Sequence, residues 1–377
     1  MRSRRRRVLP LLVLLACAWA GMVAWLSQQM VMPPRPRISQ SARAFLGAAL
    51  RDTARGPVVA TVVPPASTAG LRAGDRLVSL DGRPLQSAAA LTEAVDAGGP
   101  GATLRLEARR GEDGVLVDVT LEERPVSPAD LGLAFRDVAF PDPWKLTLRG
   151  WYLPPPPGTL APAVVFGHGN AADRRHGLDL AWELHRRGFA LLLLDFAGRG
   201  ESDGEVITLG AREAGDLGAA LDWLRAQPGV DRTRLCLAGR SMGAAAALLC
   251  AAARPEVRAV ASDSAYADLG EVVDDALRAR NVPPWLFRPA LFAVAGFRAG
   301  YRPAEVKPVL AVARTQARLR LAHGTADREV LFRHAEELKE AAGLRATLVP
   351  LPGLGHNDAR SPEEAAAVAR FLGEAVR

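Results

Sequence analysis

The chain has 377 residues, a formal net charge of +7 and a pI near 10.0. The excess sits at one end: positions 1–37 hold seven basic residues and no acid, and removing those seven from the 48 leaves 41 basic residues against 41 acidic ones. A basic groove for phosphates is therefore unsupported, and nucleic acid is excluded as the expected partner.

Arg2 and Arg4 to Arg7 open the chain, and Val8–Leu26 follows as nineteen residues without a charge. At about 1.5 Å per residue this run nearly spans a hydrocarbon core of about 30 Å. The reading is a signal anchor at 8–26 with residues 1–7 in the cytoplasm, which puts the rest of the chain on the extracytoplasmic side of the cell membrane as a single-pass protein. Two rivals stay open. Ala18-Trp19-Ala20 offers a signal-peptidase site, and Leu14-Leu15-Ala16-Cys17 faintly resembles a lipoprotein box.

Residues 27–39 read as a Pro-rich spacer, with Met32-Pro33-Pro34-Arg35-Pro36 stiff enough to lead out of the membrane. Residues 40–124 form a unit of their own. Strand-like runs at 45–50, 58–63, 76–80, 103–109 and 115–121 surround a helix at 88–97, and the turn Ala69-Gly-Leu-Arg-Ala-Gly-Asp75 is followed by a strand and Asp81-Gly82. This pattern resembles a bacterial PDZ domain. The resemblance implies that an extended peptide adds as a strand and that its C-terminal carboxylate rests on the amides of Phe45, Leu46, Gly47 and Ala48, beside Ala49, Leu50, Leu91 and Val95. The alternative is that the domain serves as a spacer or brace.

Residues 125–132 are the expected linker, and 133–377 the second domain. Ala163–Phe166 reads as a strand followed by the loop Gly167-His168-Gly169-Asn170. Ala190–Asp195 is another strand, after which Gly200-Glu201-Ser202-Asp203-Gly204 forms a turn rather than a strand-to-helix junction. Leu235–Gly239 runs through Gly239-Arg-Ser-Met-Gly243 into an alanine-rich helix, which is the context of a nucleophile elbow, so Ser241 is the expected nucleophile and Ser202 the lesser candidate. Oxyanion donors would be the amides of Met242 and Asn170, with Ala171 open if the turn shifts by one.

An alcohol attacks only while its proton is being removed, so Ser241 needs a base and the base an orienting acid. His356, in the glycine-rich loop after the strand at 346–350, is the expected base. His323 reads as a neighbour of the acid, His334 as a surface helix residue and His168 as a packed loop residue. Asp327, just past the strand at 319–322, is the expected acid, with Asp263 its competitor and Asp358 a cap for the final helix. Between the strands lies an apolar insertion, residues 266–302, readable as a lid over an acyl pocket, as a membrane contact, or as simple core packing. Cys17 lies in the anchor, while Cys236 and Cys250 read as core fillers that predict no disulfide.

His-Gly-Asn at 168–170, Asp-Phe-Ala-Gly-Arg-Gly-Glu-Ser at 195–202, Gly-Arg-Ser-Met-Gly, His-Gly-Thr-Ala-Asp at 323–327 and Gly-His at 355–356 occur in that order. Together they resemble the α/β-hydrolases of the serine-aminopeptidase-like and dienelactone-hydrolase-like group. Leu331 departs from the proline usual there. The resemblance implies a mostly parallel sheet with helices on both faces, a Ser-Asp-His mechanism, and no metal or cofactor, but it does not imply a substrate. The resulting expectation is a membrane-tethered hydrolase of a small-molecule or lipid-like carboxylic ester, with the PDZ domain holding a protein C-terminus. A serine peptidase and a non-catalytic PDZ adaptor remain alternatives.

Overall fold

The computed structural model describes residues 2–33, 44–62, 65–123, 126–358 and 360–377, with no side-chain description for 2–16 and a few scattered positions. Helix α1 (Arg2–Val31) is one continuous helix, so the expected spacer starts later than residue 27; the stretch 34–43 lies outside the described residues. Among the described residues no helix is long and apolar enough to cross a membrane. The expected span Val8–Leu26 falls on α1, and the side chains of its first half are outside that description.

The first domain holds β1 (Ala44–Phe45), β2 (Ala48–Thr53), β3 (Gly56–Val62), β4 (Arg76–Leu80), β5 (Arg83–Pro84), α2 (Ala88–Gly98), β6 (Thr103–Arg110), β7 (Asp113–Thr120) and β8 (Glu122–Glu123). The antiparallel sheet has the order β2-β3-β4-β6-β7, with β5 on β4, and β1 pairs separately with β8. Strict alternation along β6 turns Leu104, Leu106 and Ala108 inward against Val117 and Val119 of β7. Leu91 and Val95 of α2 are buried in the same core. Asp75 is fully buried because Arg110 pairs with it at 2.7 Å and the Arg72 amide donates to it at 2.8 Å.

A 3-10 turn at Pro128–Leu131, held by the Ser127–Asp130 capping box, occupies half of the expected linker. The second domain then runs β9 (Arg136–Pro141), β10 (Thr147–Leu153), β11 (Ala161–Gly167), α3 (Leu178–Arg186), β12 (Ala190–Asp195), α4 (Ala211–Arg225), β13 (Val230–Arg240), α5 (Met242–Ala253) and β14 (Val257–Asp263). It ends with α6 (Leu269–Arg278), α7 (Pro284–Ala299), α8 (Pro308–Val312), β15 (Arg318–Gly324), α9 (Arg333–Ala342), β16 (Ala346–Leu351) and α10 (Pro362–Ala375). The eight-stranded sheet has the order β16-β15-β14-β13-β11-β12-β10-β9; its central strands are parallel, and β10 is antiparallel to both β9 and β12.

Burial on both faces explains why β12, for example, has no polar alternation before Asp195. Helices α4, α5, α8 and α9 cover one face and α3 and α10 the other. Strand β13 follows β12 in the chain but lies on the other side of β11. The loops leaving β11 and β13 therefore diverge at a topological switch point, where open α/β sheets leave a crevice at their carboxyl ends.

Candidate active site

Ser241 sits at that crevice, between β13 and α5, with φ 53° and ψ −120°. A non-glycine residue in this region is strained and persists only where its surroundings enforce it. The neighbours explain the enforcement. A Cβ on Gly243 would lie 2.1 Å from the Gly167 carbonyl oxygen, and one on Gly239 would lie 2.4 Å from the Gly243 oxygen. Alanines 244–247, all fully buried, then let α5 lie close on the sheet.

His356 Nε2 is 2.9 Å from Ser241 Oγ, and His356 Nδ1 is 2.7 Å from Asp327 Oδ2. The three expected residues thus form one hydrogen-bonded chain from loops after β13, β15 and β16. Asp327 Oδ1 accepts from the amides of Glu329 and Val330, both at 2.9 Å, which fixes the carboxylate. Burial raises its pKa, but hydrogen bonds from His323 and His356 outweigh burial and hold the carboxyl below the usual range. His323 lies against the acid as expected, with Nε2 3.4 Å from Asp327 and 2.8 Å from the Val330 oxygen.

The competitor Asp263 is engaged elsewhere. Arg360 grips it in bidentate fashion at 2.8 and 3.0 Å, and its backbone oxygen accepts the Ser241 amide at 2.8 Å. Arg240 lies 3.6 Å from Asp263, donates to the His356 carbonyl at 3.0 Å, and meets His176 Nε2 at 3.2 Å. Arg240, Asp263 and Arg360 form a clamp on the backbone of the His356 loop. Only Arg240, inside the elbow sequence, carried a signal that could have found it; Arg360 had none. Asp358 does not cap the last helix: Ser361 does, and Asp358 accepts the Gly355 amide at 2.7 Å.

The loop after β11 passes beside Ser241, with the Cβ direction of Gly169 3.5 Å from the Ser241 Cβ. The Met242 and Asn170 amides are not engaged in the described hydrogen bonds, as oxyanion donors must not be. Asn170 is fixed from behind, since Arg199 donates to its carbonyl at 2.8 Å and to its side-chain oxygen at 3.0 Å, whereas Ala171 is exposed. His168 is buried and locked, accepting the Phe196 amide on Nε2 at 3.1 Å with Nδ1 2.7 Å from the Gly169 oxygen. Burial pushes its pKa down to about 4. Ser202 is buried too, donating to the Asp195 carbonyl at 2.6 Å and accepting the Arg149 amide at 2.8 Å, so it braces a loop away from the Ser241 chain.

His334 corrects the sequence reading. It is fully buried, because its ring turns inward toward the Ala267 amide. With Glu271 and Glu337 it brings metal-ligand atoms within 4.8 Å of one another, but Arg333 already bridges both carboxylates at 2.9 Å each, so the cluster is charge-compensated by protein. Cys236 and Cys250 are free and buried.

In the first domain β2 is the sheet edge, and α2 is tied to its end by the Ala88 amide donating to Asp52 at 2.7 Å. Phe45 and Leu46 lead into Gly47, whose φ of 77° turns the loop, and Ala48 starts β2. Leu46 is buried and its carbonyl accepts the Ala66 amide at 3.1 Å. Leu91 and Val95 prove to be core, and the side chain of Ala49 is outside the described residues, so of the expected groove lining Leu50 is the partly exposed member.

Fold and site define a hydrolase of the α/β type with a PDZ domain before it. The chain belongs to the X-Pro dipeptidyl-peptidase (S15) family, whose profile matches residues 152–342, and a PDZ profile matches residues 44–121. An uncharacterized protein of Mycobacterium tuberculosis is 34% identical over 233 residues, covering 60% of this chain and 73% of that one. The uncharacterized protein YfhR of Escherichia coli is 27% identical, covering 59% and 77%. Among solved structures, the Pyrococcus furiosus esterase Pf2001 aligns with TM-score 0.55 and 23% identity over 67% of this chain and 96% of its own. A puromycin-hydrolyzing peptidase of Mycobacterium tuberculosis aligns with TM-score 0.54 and 18% identity over 74% and 45%. At these identities the structures speak for the fold alone.

Proposed function

We propose that the protein is a membrane-tethered serine hydrolase of carboxylic esters. The observation that carries the reading is the chain Ser241–His356–Asp327 on a strained elbow. Ser241 Oγ attacks the ester carbonyl while its proton passes to His356 Nε2, and the carbonyl electron pair moves to an oxygen held by the Met242 and Asn170 amides. Collapse expels the alcohol with the proton from His356. Water then repeats the sequence on the acyl-enzyme and releases the acid.

Tethering rests on the arginines before the uncharged run 8–26, with both domains beyond the membrane. The end of α1 packs on the hydrolase, where the Ile207 amide donates to the Val31 carbonyl at 2.8 Å, and Arg199, which holds Asn170, reaches the Pro33 carbonyl at 3.3 Å. The exit of α1 is thus one side chain from the proposed oxyanion loop, which suits a lipid-like acyl substrate. The PDZ groove at Phe45–Ala48 would hold a protein C-terminus.

Peptide-bond hydrolysis is the second reading, favoured by the family match to X-Pro dipeptidyl-peptidase. A panel of p-nitrophenyl esters and X-Pro p-nitroanilides separates the two. Ser241→Ala should lower kcat by roughly 10⁴ to 10⁶ and abolish fluorophosphonate labelling, and Ser202→Ala should retain labelling. Equal labelling of Ser241→Ala and wild type rejects the assignment.

A further inference from the structure

The run Asp-Phe-Ala-Gly-Arg-Gly-Glu-Ser at 195–202 takes no part in the chain Ser241–His356–Asp327, yet it holds a fully buried arginine, Arg199. The turn is tight because glycine stands on both sides. Gly198 and Gly200 have φ of 75° and 49°, and a Cβ on Gly198 would lie 2.7 Å from the Val206 carbonyl oxygen. A guanidinium is buried only where hydrogen bonds replace those to water, and Arg199 finds acceptors on segments far apart in the chain.

One edge of the guanidinium faces the loop after β11. Nε donates to the Asn170 carbonyl at 2.8 Å and Nη2 to the Asn170 side-chain oxygen at 3.0 Å. These two bonds fix the backbone and side-chain torsions of Asn170, and with them the direction of its amide, the proposed oxyanion donor. The far nitrogen, Nη1, donates to the Gly198 carbonyl at 3.1 Å and to the Pro33 carbonyl at 3.3 Å. Because the guanidinium is planar and rigid, the place of Pro33 and the aim of Asn170 are set together.

Pro33 is held in turn by the seat of α1. Val31 is fully buried against Ala295 and Ala299 of α7, and its carbonyl accepts the Ile207 amide at 2.8 Å. The Met32 amide closes the last turn of α1 on the Gln28 carbonyl at 2.9 Å. Further back along the same contact, Arg298 donates to Gln28 at 2.8 Å, and the rings of Trp19 and Phe287 lie 6.1 Å apart. The exit of α1 is therefore fixed against α7 and the loop before α4, and through one side chain it reaches the oxyanion loop.

We propose that Arg199 is a positioning residue for the oxyanion hole, and that it makes the hole depend on the seated Val31–Pro33 segment, so that the end of α1 is required for full turnover. This inference rests on the serine-hydrolase reading and makes no use of the tether. Full-length protein in mild detergent is assayed on p-nitrophenyl acetate at an equal number of fluorophosphonate-titrated sites, so that loss of folded protein does not count. A trifluoromethyl ketone is the second probe, since its adduct on a serine places an oxyanion in the hole. Arg199→Lys keeps the charge, but a single ammonium does not span Asn170 and Pro33. Val31→Asp puts a carboxylate into an apolar seat and displaces the segment without touching Arg199. Ala295→Leu fills the same seat from α7 and takes its place if Val31→Asp does not fold.

Each variant should lower kcat about 10- to 10²-fold, the cost of a group misplaced by about 1 Å, with KM within about twofold. Affinity for the ketone should fall by the same factor as kcat. Arg199→Lys combined with a seat variant should be no slower than Arg199→Lys alone, because both cut one link. A normal kcat in Arg199→Lys, or an unchanged ketone affinity beside a lowered kcat, overturns the positioning role. Wild-type turnover in the seat variants, or losses that multiply in the double variant, overturns the dependence on α1. Turnover by Ser241→Ala equal to wild type overturns the serine-hydrolase reading and this inference with it.

Discussion

Asp263 ends β14 and Asp327 lies in the loop just past β15, both near Ser241, and what separates the two carboxylates is their partners. Asp327 faces His356 at 2.7 Å, while Asp263 is occupied by Arg360 and its backbone holds the Ser241 amide. Asp327→Asn should therefore cost about 10⁴ in kcat by presenting the wrong hydrogen-bond partner to the imidazole. Asp263→Asn loosens only the clamp on the His356 loop, and a displacement of that kind should cost at most about 10². Kinetics on p-nitrophenyl acetate decide, and the reverse ranking moves the acid to Asp263. A second residue-scale expectation concerns pH. Burial holds His168 near pKa 4 in the fold, against about 6.5 unfolded, so the unfolded chain binds the extra proton first. Its contribution to stability is full above about pH 6.5 and is lost as pH falls toward 4, on the order of 3 kcal/mol in all. Burial likewise lowers His176, to about 3, which adds a loss of the same sign. Urea midpoints between pH 7.5 and 4.5 should fall accordingly, and His168→Gln should flatten part of that slope. An unchanged slope in the variant refutes the attribution to His168.

At the scale of elements, the strand–elbow–helix unit could be read from the chain because its geometry forbids most residues. Gly239 and Gly243 are places where backbone meets backbone, so Gly243→Ala drives a methyl into the Gly167 carbonyl region. The only relief is to part α5 from β11, which should lower the thermal midpoint by many degrees or leave the protein insoluble; overpacking alone costs about 1–3 kcal/mol. A variant that melts within a degree or two of wild type contradicts the close packing. Of the proposed site, Ser241 is placed by this unit, whereas His356 and Asp327 were legible for a different reason: each lies just past a buried strand in a loop that can reach the switch point. His334 was not, since its helix-forming neighbours say nothing of which face α9 buries. Nor was the extent of α1, because the sequence from Ser27 to Val31 carries no signal that ends a helix before Pro33. The α1–α7 contact joins residues some 268 positions apart, and no local pattern encodes such pairing.

For the whole molecule, the issue is whether the PDZ domain shares the work of the hydrolase or only its address. Strand β3 approaches α10, the helix that leaves the His356 loop, so a mechanical route between the domains exists. The edge proposed for the peptide, however, is β2 with the Gly47 turn, on the far side of β3 in the sheet order. Gly47 has φ 77°, which a β-branched residue tolerates poorly, so Gly47→Val should distort the loop that presents amides to a carboxylate. Binding of peptides with free C-termini, measured by fluorescence polarisation, should weaken at least tenfold, about 1.4 kcal/mol. Turnover of a small soluble ester should stay within about twofold if the domains are joined only as tethered units. A matching fall in ester turnover, with the fold intact by circular dichroism, makes the PDZ domain part of the catalytic architecture through β3 and α10, and the recruitment reading then fails.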